Sequence, residues 1–182
     1  QRAVVLMGPR RVGKTVMVYH AINALIKEGI SAKSILYLSL ETPIYTGLSL
    51  ERIINYFREL FQHKRDADLF VFFDEVQYLK DWEIHLKSLV DSYPNYKFVA
   101  TGSAAAALRL KSNESGAGRF SDYILPPLTF AEYLRFIGRE QELISVDDTL
   151  GSEVRTKYTT SNINQLNHEF IRYLNFGGYP EA

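Results

Sequence analysis

Short apolar runs alternate with amphipathic stretches through the first two-thirds of the chain, the arrangement a parallel sheet flanked by helices requires. Five runs read as strands: Ala3 to Met7, Ser34 to Leu40, Leu69 to Phe73, Lys97 to Thr101 and Tyr123 to Leu125. Most are continuously apolar, as strands buried on both faces of a parallel sheet must be. Between them, Lys14 to Glu28, Leu50 to Gln62, Asp81 to Val90 and Ala104 to Leu110 read as helices. In the third, Trp82, Leu86, Leu89 and Val90 fall at i, i+4, i+7 and i+8, one stripe for packing on a sheet. After Pro126-Pro127 the pattern changes. Thr129-x-x-Glu132 has capping-box spacing ahead of Tyr133, Leu134, Phe136 and Ile137. The polar stretch from Ser145 to Ser161 reads as a loop, and Ile163, Leu166, Phe170, Ile171 and Leu174 then recur with helical period. The pattern predicts an α/β domain over 1–127 and a smaller helical region over 128–182, with no internal repeat.

Composition acts mainly by exclusion. With 46% hydrophobic and 23% charged residues in 182, the chain is an ordinary globular one, and disorder, collagen and whole-chain coiled coil are ruled out. The 21 basic and 21 acidic side chains cancel, so no global field holds this chain on nucleic acid or an anionic membrane. Without cysteine there is no disulfide framework, thiolate zinc site or cysteine nucleophile, which fits a reducing cytoplasm, the expected location. His20, His63, His85 and His168 are scattered and form no H-E-x-x-H motif. No apolar run approaches the roughly 18 residues of a membrane span. The chain opens on Gln1, with apolar residues almost at once, and stops at Gly-Gly-Tyr-Pro-Glu-Ala, so a piece of a longer protein is expected.

Gly8-Pro9-Arg10-Arg11-Val12-Gly13-Lys14-Thr15 matches G-x-x-x-x-G-K-[ST] between an apolar strand and a helix, where a phosphate loop must lie. Gly8 and Gly13 allow the tight turn that brings backbone N–H groups and the positive end of the helix around an anion. An exposed Lys14 is expected to reach the β and γ oxygens, with the Thr15 hydroxyl on Mg²⁺. The nucleotide-binding segment is accordingly Gly8 through Val16, within which Arg10 and Arg11 read either as added positive potential or as surface arginines.

Asp68-Leu-Phe-Val-Phe-Phe73 runs into Asp74-Glu75, an apolar strand ending in two carboxylates, the Walker B arrangement of phosphate-loop proteins. At the carboxyl end of a strand beside the loop, Asp74 is expected to hold Mg²⁺ through water and Glu75 to act as general base on the attacking water. The next strand ends in Thr101-Gly102-Ser103, where a hydroxyl would orient that water; Ser103 or Thr101 fits, and so does a plain helix N-cap.

These segments, with Asp74-Glu-Val-Gln77, Ala117-Gly-Arg119-Phe, Leu125-Pro-Pro-Leu-Thr-Phe and Gly177-Gly-Tyr-Pro-Glu, resemble the bacterial and archaeal AAA+-type ATPases that join such a module to a poorly characterised C-terminal domain. The resemblance covers nearly the whole chain. It implies a P-loop NTPase three-layer sandwich with a five-stranded parallel sheet ordered 5-1-4-3-2, a helical lid, ATP as nucleotide, and a C-terminal effector domain. Arg119 stands where related ATPases carry an arginine that reaches a neighbouring subunit's γ-phosphate, which implies a homo-oligomer; a solvated arginine in a glycine-rich turn is the other reading. Gln77 either orients Glu75, contacts the lid or is a polar residue at a helix entry. Arg139, Arg155 and Arg172 carry no pattern that marks a lid sensor.

An Mg²⁺-dependent ATPase is therefore expected, with an ATP-binding switch or scaffold of little turnover as the alternative. A GTPase would need an Asn-Lys-x-Asp segment, which the chain lacks, and a small-molecule kinase an acceptor pocket where Asp74-Glu75 favours water.

Overall fold

The computed structural model describes residues 2–45, 47–105, 118–149 and 155–180, with the side chains of 147–149, 155 and 156 excepted. It falls into two compact units, Gln1–Leu125 and Pro126–Ala182.

The first unit is built on five parallel strands: β1 (Ala3–Gly8), β2 (Ile35–Ser39), β3 (Phe70–Asp74), β4 (Lys97–Ser103) and β5 (Phe120–Ile124). Their order is β2-β3-β4-β1-β5, the expected order read from the opposite edge. The central strands carry the aliphatic and aromatic runs, and Val5, Met7, Val71, Phe73, Phe98 and Ala100 enter one core with residues of α2 (Leu50–Phe61) and α3 (Trp82–Ser92). All four residues of the expected α3 stripe are buried. Helix α1 (Lys14–Lys27) leaves the carboxyl end of β1 through the loop 9–13 and buries only Lys14 and Val18.

One departure has a physical cause. Strand β5 begins at Phe120 rather than Tyr123, because its first half, Phe-Ser-Asp, is too polar to read as a buried strand; it lies at the sheet edge, where one side has no partner strand. The helix expected from Ala104 begins at Ala104 and Ala105, and residues 106–110 lie outside the described residues.

In the second unit, α4 (Phe130–Phe136) starts at the anticipated capping box. The Thr129 hydroxyl accepts from Glu132 N–H at 3.3 Å, and Glu132 Oε2 accepts from Thr129 N–H at 2.7 Å. Those two Thr129 donors, backbone first and then hydroxyl, hold the Glu132 carboxyl below its ordinary value. Helix α5 (Glu140–Leu143) follows. The stretch expected to be a loop instead holds an antiparallel pair, β6 (Ser145–Thr149) with β7 (Arg155–Thr159). Apolar alternation is absent because Val146 and Tyr158, paired across the ladder, both face solvent. The ladder is made by backbone hydrogen bonds that any sequence rich in Val, Thr and Tyr accommodates.

Helix α6 (Ile163–Arg172) continues as a wider π turn over Tyr173–Gly177. Its expected apolar stripe is largely exposed, and the buried residue is Glu169. That carboxylate accepts from Arg139 Nη1 at 2.6 Å, Tyr133 Oη at 3.2 Å and Arg172 Nη1 at 3.4 Å. Arg139 and Arg172 are thus tied into the interior of this unit.

Candidate functional site

The carboxyl ends of four parallel strands converge. Gly8 is in register with Ser103, and Ser39 with Asp74, so the ends of β1, β4, β2 and β3 form one rim. In open α/β sheets this rim is where ligands bind.

Gly8 closes β1 against the backbone of Leu125, where an added Cβ would stand 2.3 Å from the carbonyl oxygen; only glycine fits. Beyond it the chain turns through two left-handed positions, Arg11 at φ 65° and Gly13 at φ 95°. A left-handed arginine is uncommon, and alternation of this kind turns successive N–H groups into one concavity, an anion nest at the start of α1. Val12 is buried and pins the loop, while Arg10, Arg11 and Val16 are exposed. Arg10 donates to the hydroxyl of Tyr78 at 3.0 Å.

Lys14 corrects the expectation of an exposed side chain. It is only 4% exposed, and its ammonium donates to Gly8 O at 3.1 Å and Pro9 O at 2.8 Å, so the loop folds around it. Held on these two carbonyls, the ammonium adds a buried positive charge to the loop.

Asp74, at the end of β3, is buried and accepts from three hydroxyls. Thr15 Oγ1 donates to Oδ2 at 2.8 Å, Tyr37 Oη to the same oxygen at 3.0 Å, and Thr101 Oγ1 to Oδ1. The two expected metal ligands, Thr15 and Asp74, are therefore in direct contact although 59 residues apart. Both are hard oxygen donors, the set Mg²⁺ prefers. Tyr37 in turn accepts from Tyr19 Oη at 3.2 Å, and the two rings are 5.2 Å apart. Burial above all pushes the Tyr37 phenol far above its ordinary value; the Tyr19 hydroxyl and the charge and hydrogen bond of Asp74 push the same way. The phenol thus stays a donor to the carboxylate.

Glu75 begins the turn that leaves the sheet, at φ 58°. Its N–H donates to Thr101 Oγ1 at 3.1 Å. Its carboxylate accepts from Gln77 Nε2, and the other end of that amide, Oε1, accepts from Ser103 N–H at 3.0 Å. Of the two hydroxyls offered for the strand end, that of Thr101 is committed to Asp74, and Ser103 is half-buried at the rim.

Arg119 is not part of this assembly. It sits at the opposite, amino-terminal end of the sheet, where its carbonyl accepts from Ala3 N–H. Ala3 and Gly8 are the two ends of β1, and five residues of strand separate them by about 16 Å. The Arg119 side chain, 45% exposed, pairs with Asp91 of α3 at 3.1 Å.

Sequence reading missed Tyr37 and Tyr19. An isolated tyrosine in an apolar strand is ordinarily a core residue, and only the pairing of β2 with β3 brings its hydroxyl to Asp74.

The chain is similar to several known proteins. Over 177 residues, 97% of this chain and 35% of the relative, the sequence is 26% identical to an uncharacterised protein of Methanocaldococcus jannaschii. It is 30% identical over 133 residues to an uncharacterised protein of Haemophilus influenzae, covering 71% of this chain and 32% of that protein. The chain thus spans about a third of the length of these curated relatives. Among solved structures it is similar to the Aeropyrum pernix ORC1 protein in complex with DNA, with TM-score 0.52, 15% identity, and 78% of this chain covered against 44% of that one. At that identity the likeness establishes the fold. Residues 1–134 match the AAA domain family. The chain belongs to the AAA domain family, and that membership supports nucleotide binding.

Proposed function

We propose that this chain is the ATPase module of a longer protein, hydrolysing ATP with Mg²⁺ to move its second unit or an attached C-terminal effector domain. The observation that carries the reading is the contact of Thr15 with Asp74 beside the concave Gly8–Thr15 loop: two hard oxygen ligands joined at the mouth of an anion nest. A loop that only capped a helix would have no use for a buried carboxylate opposite it.

The loop N–H groups and the Lys14 ammonium bind the phosphates, Lys14 exchanging its carbonyl partners for phosphoryl oxygens. Thr15 and Asp74 are the residues that would hold Mg²⁺, which when bound neutralises the β and γ oxygens. Glu75 takes the proton of the attacking water as its oxygen bonds to the γ-phosphorus and the bond to the ADP oxygen breaks. Ser103, at the neighbouring strand end, is the hydroxyl that orients this water. Arg119, about 16 Å from its own loop along β1, serves a neighbouring subunit of a homo-oligomer rather than its own site. Its partner Asp91 is an exposed one, and such pairs are worth only about 0–1 kcal/mol, so exchange for a phosphate is easy.

One observation favours slow turnover by an isolated chain, the switch-like alternative: Arg119, the arginine expected at a γ-phosphate, lies at the amino-terminal end of β1, away from its own loop. The experiment is phosphate release from ATP by the full-length protein and its Lys14→Ala variant. Release that depends on Mg²⁺ and vanishes in the variant supports the reading; release unchanged by Lys14→Ala refutes it.

A further inference from the structure

Glu75 is reached from two sides, by Thr101 at its backbone and by Gln77 at its carboxylate. Both contacts continue, the first through Thr101 Oγ1 to Asp74 and the second to the end of β4. Gln77 is an amide with two ends, and its second end holds Ser103 N–H at 3.0 Å. Ser103 is the last residue of β4 and is in register with Gly8, the first residue of the phosphate loop. A single side chain therefore connects the carboxylate beside the phosphate loop to the backbone that borders the loop.

The chemistry suits an amide at this position. Glu75 offers only acceptors and Ser103 N–H is only a donor, so the bridging group must donate at one end and accept at the other. Glutamate at 77 would set carboxylate against carboxylate, lysine would have no acceptor for Ser103, and asparagine is one methylene short. The backbone of the bridge is fixed too. Val76 is buried in the core, and the turn is closed by Tyr78 N–H to Glu75 O at 3.2 Å and Leu79 N–H to Val76 O at 3.0 Å. Glu75 itself takes the left-handed conformation, which is uncommon for a residue other than glycine. This backbone turn leads directly into the short helix Val76–Tyr78 that carries Gln77.

We infer that Gln77 is a positioning residue: it fixes the Glu75 carboxylate for catalysis and couples it to the end of β4, so that displacement of the Gly8–Ser103 border moves the general base. The inference rests on the proposed role of Glu75. It follows that Gln77 affects the chemical step and leaves nucleotide and metal binding alone, since neither Thr15, Asp74 nor Lys14 hydrogen-bonds to it.

The test compares the full-length protein with Gln77→Ala, Gln77→Glu, Glu75→Gln and the double variant Glu75→Gln/Gln77→Ala, reading kcat, KM for ATP, thermal midpoint and the exchange rate of the Ser103 amide. Gln77→Ala is expected to lower kcat roughly 10- to 100-fold, the effect of a misplaced reacting group, with KM within about twofold. Gln77→Glu is expected to lose at least as much. In the Glu75→Gln background, Gln77→Ala should cost nothing further, because the group it positions is already gone; a merely structural role would add its loss there as well. Ser103 amide exchange should quicken in Gln77→Ala with the thermal midpoint little changed, a readout that needs no turnover. Wild-type kcat in Gln77→Ala while Glu75→Gln is inactive, or unchanged Ser103 exchange, overturns the inference alone. Wild-type kcat in Glu75→Gln overturns the general-base reading, and the positioning role falls with it.

Discussion

Thr15 and Asp74, 59 residues apart, are joined by a 2.8 Å hydrogen bond between the first turn of α1 and the end of β3. The contact exists because β1 and β3 flank β4 in one parallel sheet, so the elements that leave their carboxyl ends share one rim. It also puts both expected metal ligands on one oxygen-lined spot. Asp74→Asn is therefore expected to weaken Mg²⁺ dependence strongly while nucleotide binding without metal persists. Calorimetric titration of ATP with and without Mg²⁺ measures the two affinities separately, and equal metal dependence in wild type and variant would remove Asp74 from the metal.

Tyr37 donates to the same Asp74 oxygen, and outer-sphere partners of this kind are worth about 10- to 100-fold in metal affinity. Tyr37→Phe should lower Mn²⁺ affinity, read by electron paramagnetic resonance, within that range. It should also change the alkaline stability. The folded phenol is held protonated above its ordinary value of 10.0, so the unfolded chain ionises first and stability falls as pH rises above about 10. Tyr37→Phe removes this contribution and flattens the decline; an unchanged slope of unfolding free energy against pH above 10 would contradict it.

Gly8 tests the loop's geometry independently of ligands. A methyl group there would lie 2.3 Å from Leu125 O, a backbone atom that cannot swing away. Gly8→Ala should destabilise the first unit by about 1–3 kcal/mol, the usual cost of overpacking, and abolish ATP binding. Denaturant unfolding measures the first and calorimetry the second. Wild-type stability would mean that the β1–Leu125 contact is looser than described.

How much of this could be read from the sequence differs by element. The sheet was legible because β1, β3 and β4 are nearly continuous apolar runs, and the phosphate loop because Gly8, Gly13, Lys14 and Thr15 are local in sequence. Strands β6 and β7 were not, since an exposed ladder needs no apolar face. Nor was the burial of Glu169, which its two arginine partners and the Tyr133 hydroxyl make tolerable. In the site itself, Asp74 and Glu75 were legible as the end of an apolar strand, whereas Tyr37 and the second end of Gln77 depend on strand register. Lys14 was misjudged because its burial arises from carbonyls of the same loop folding back on it.

Arg119 gives a prediction about assembly. If it completes a neighbour's site, specific activity should rise with protein concentration, and Arg119→Ala should abolish the rise while leaving ATP affinity nearly unchanged. Mixing Arg119→Ala with Glu75→Gln should restore part of the activity, because an intact Glu75 then meets an intact Arg119 across an interface. Arginines supplied this way are worth about 10³ to 10⁵ in rate. Turnover independent of concentration, with no recovery on mixing, would return Arg119 to its surface pair with Asp91.

The most direct test of the central claim is single-turnover hydrolysis of ATP by full-length Glu75→Gln alongside equilibrium binding of Mg·ATP to the same variant. The account predicts binding within about twofold of wild type and a hydrolysis rate lower by roughly 10² to 10⁴, the contribution of a positioned general base. Hydrolysis at the wild-type rate with binding intact would contradict it, leaving Glu75 as a structural residue of the turn after β3.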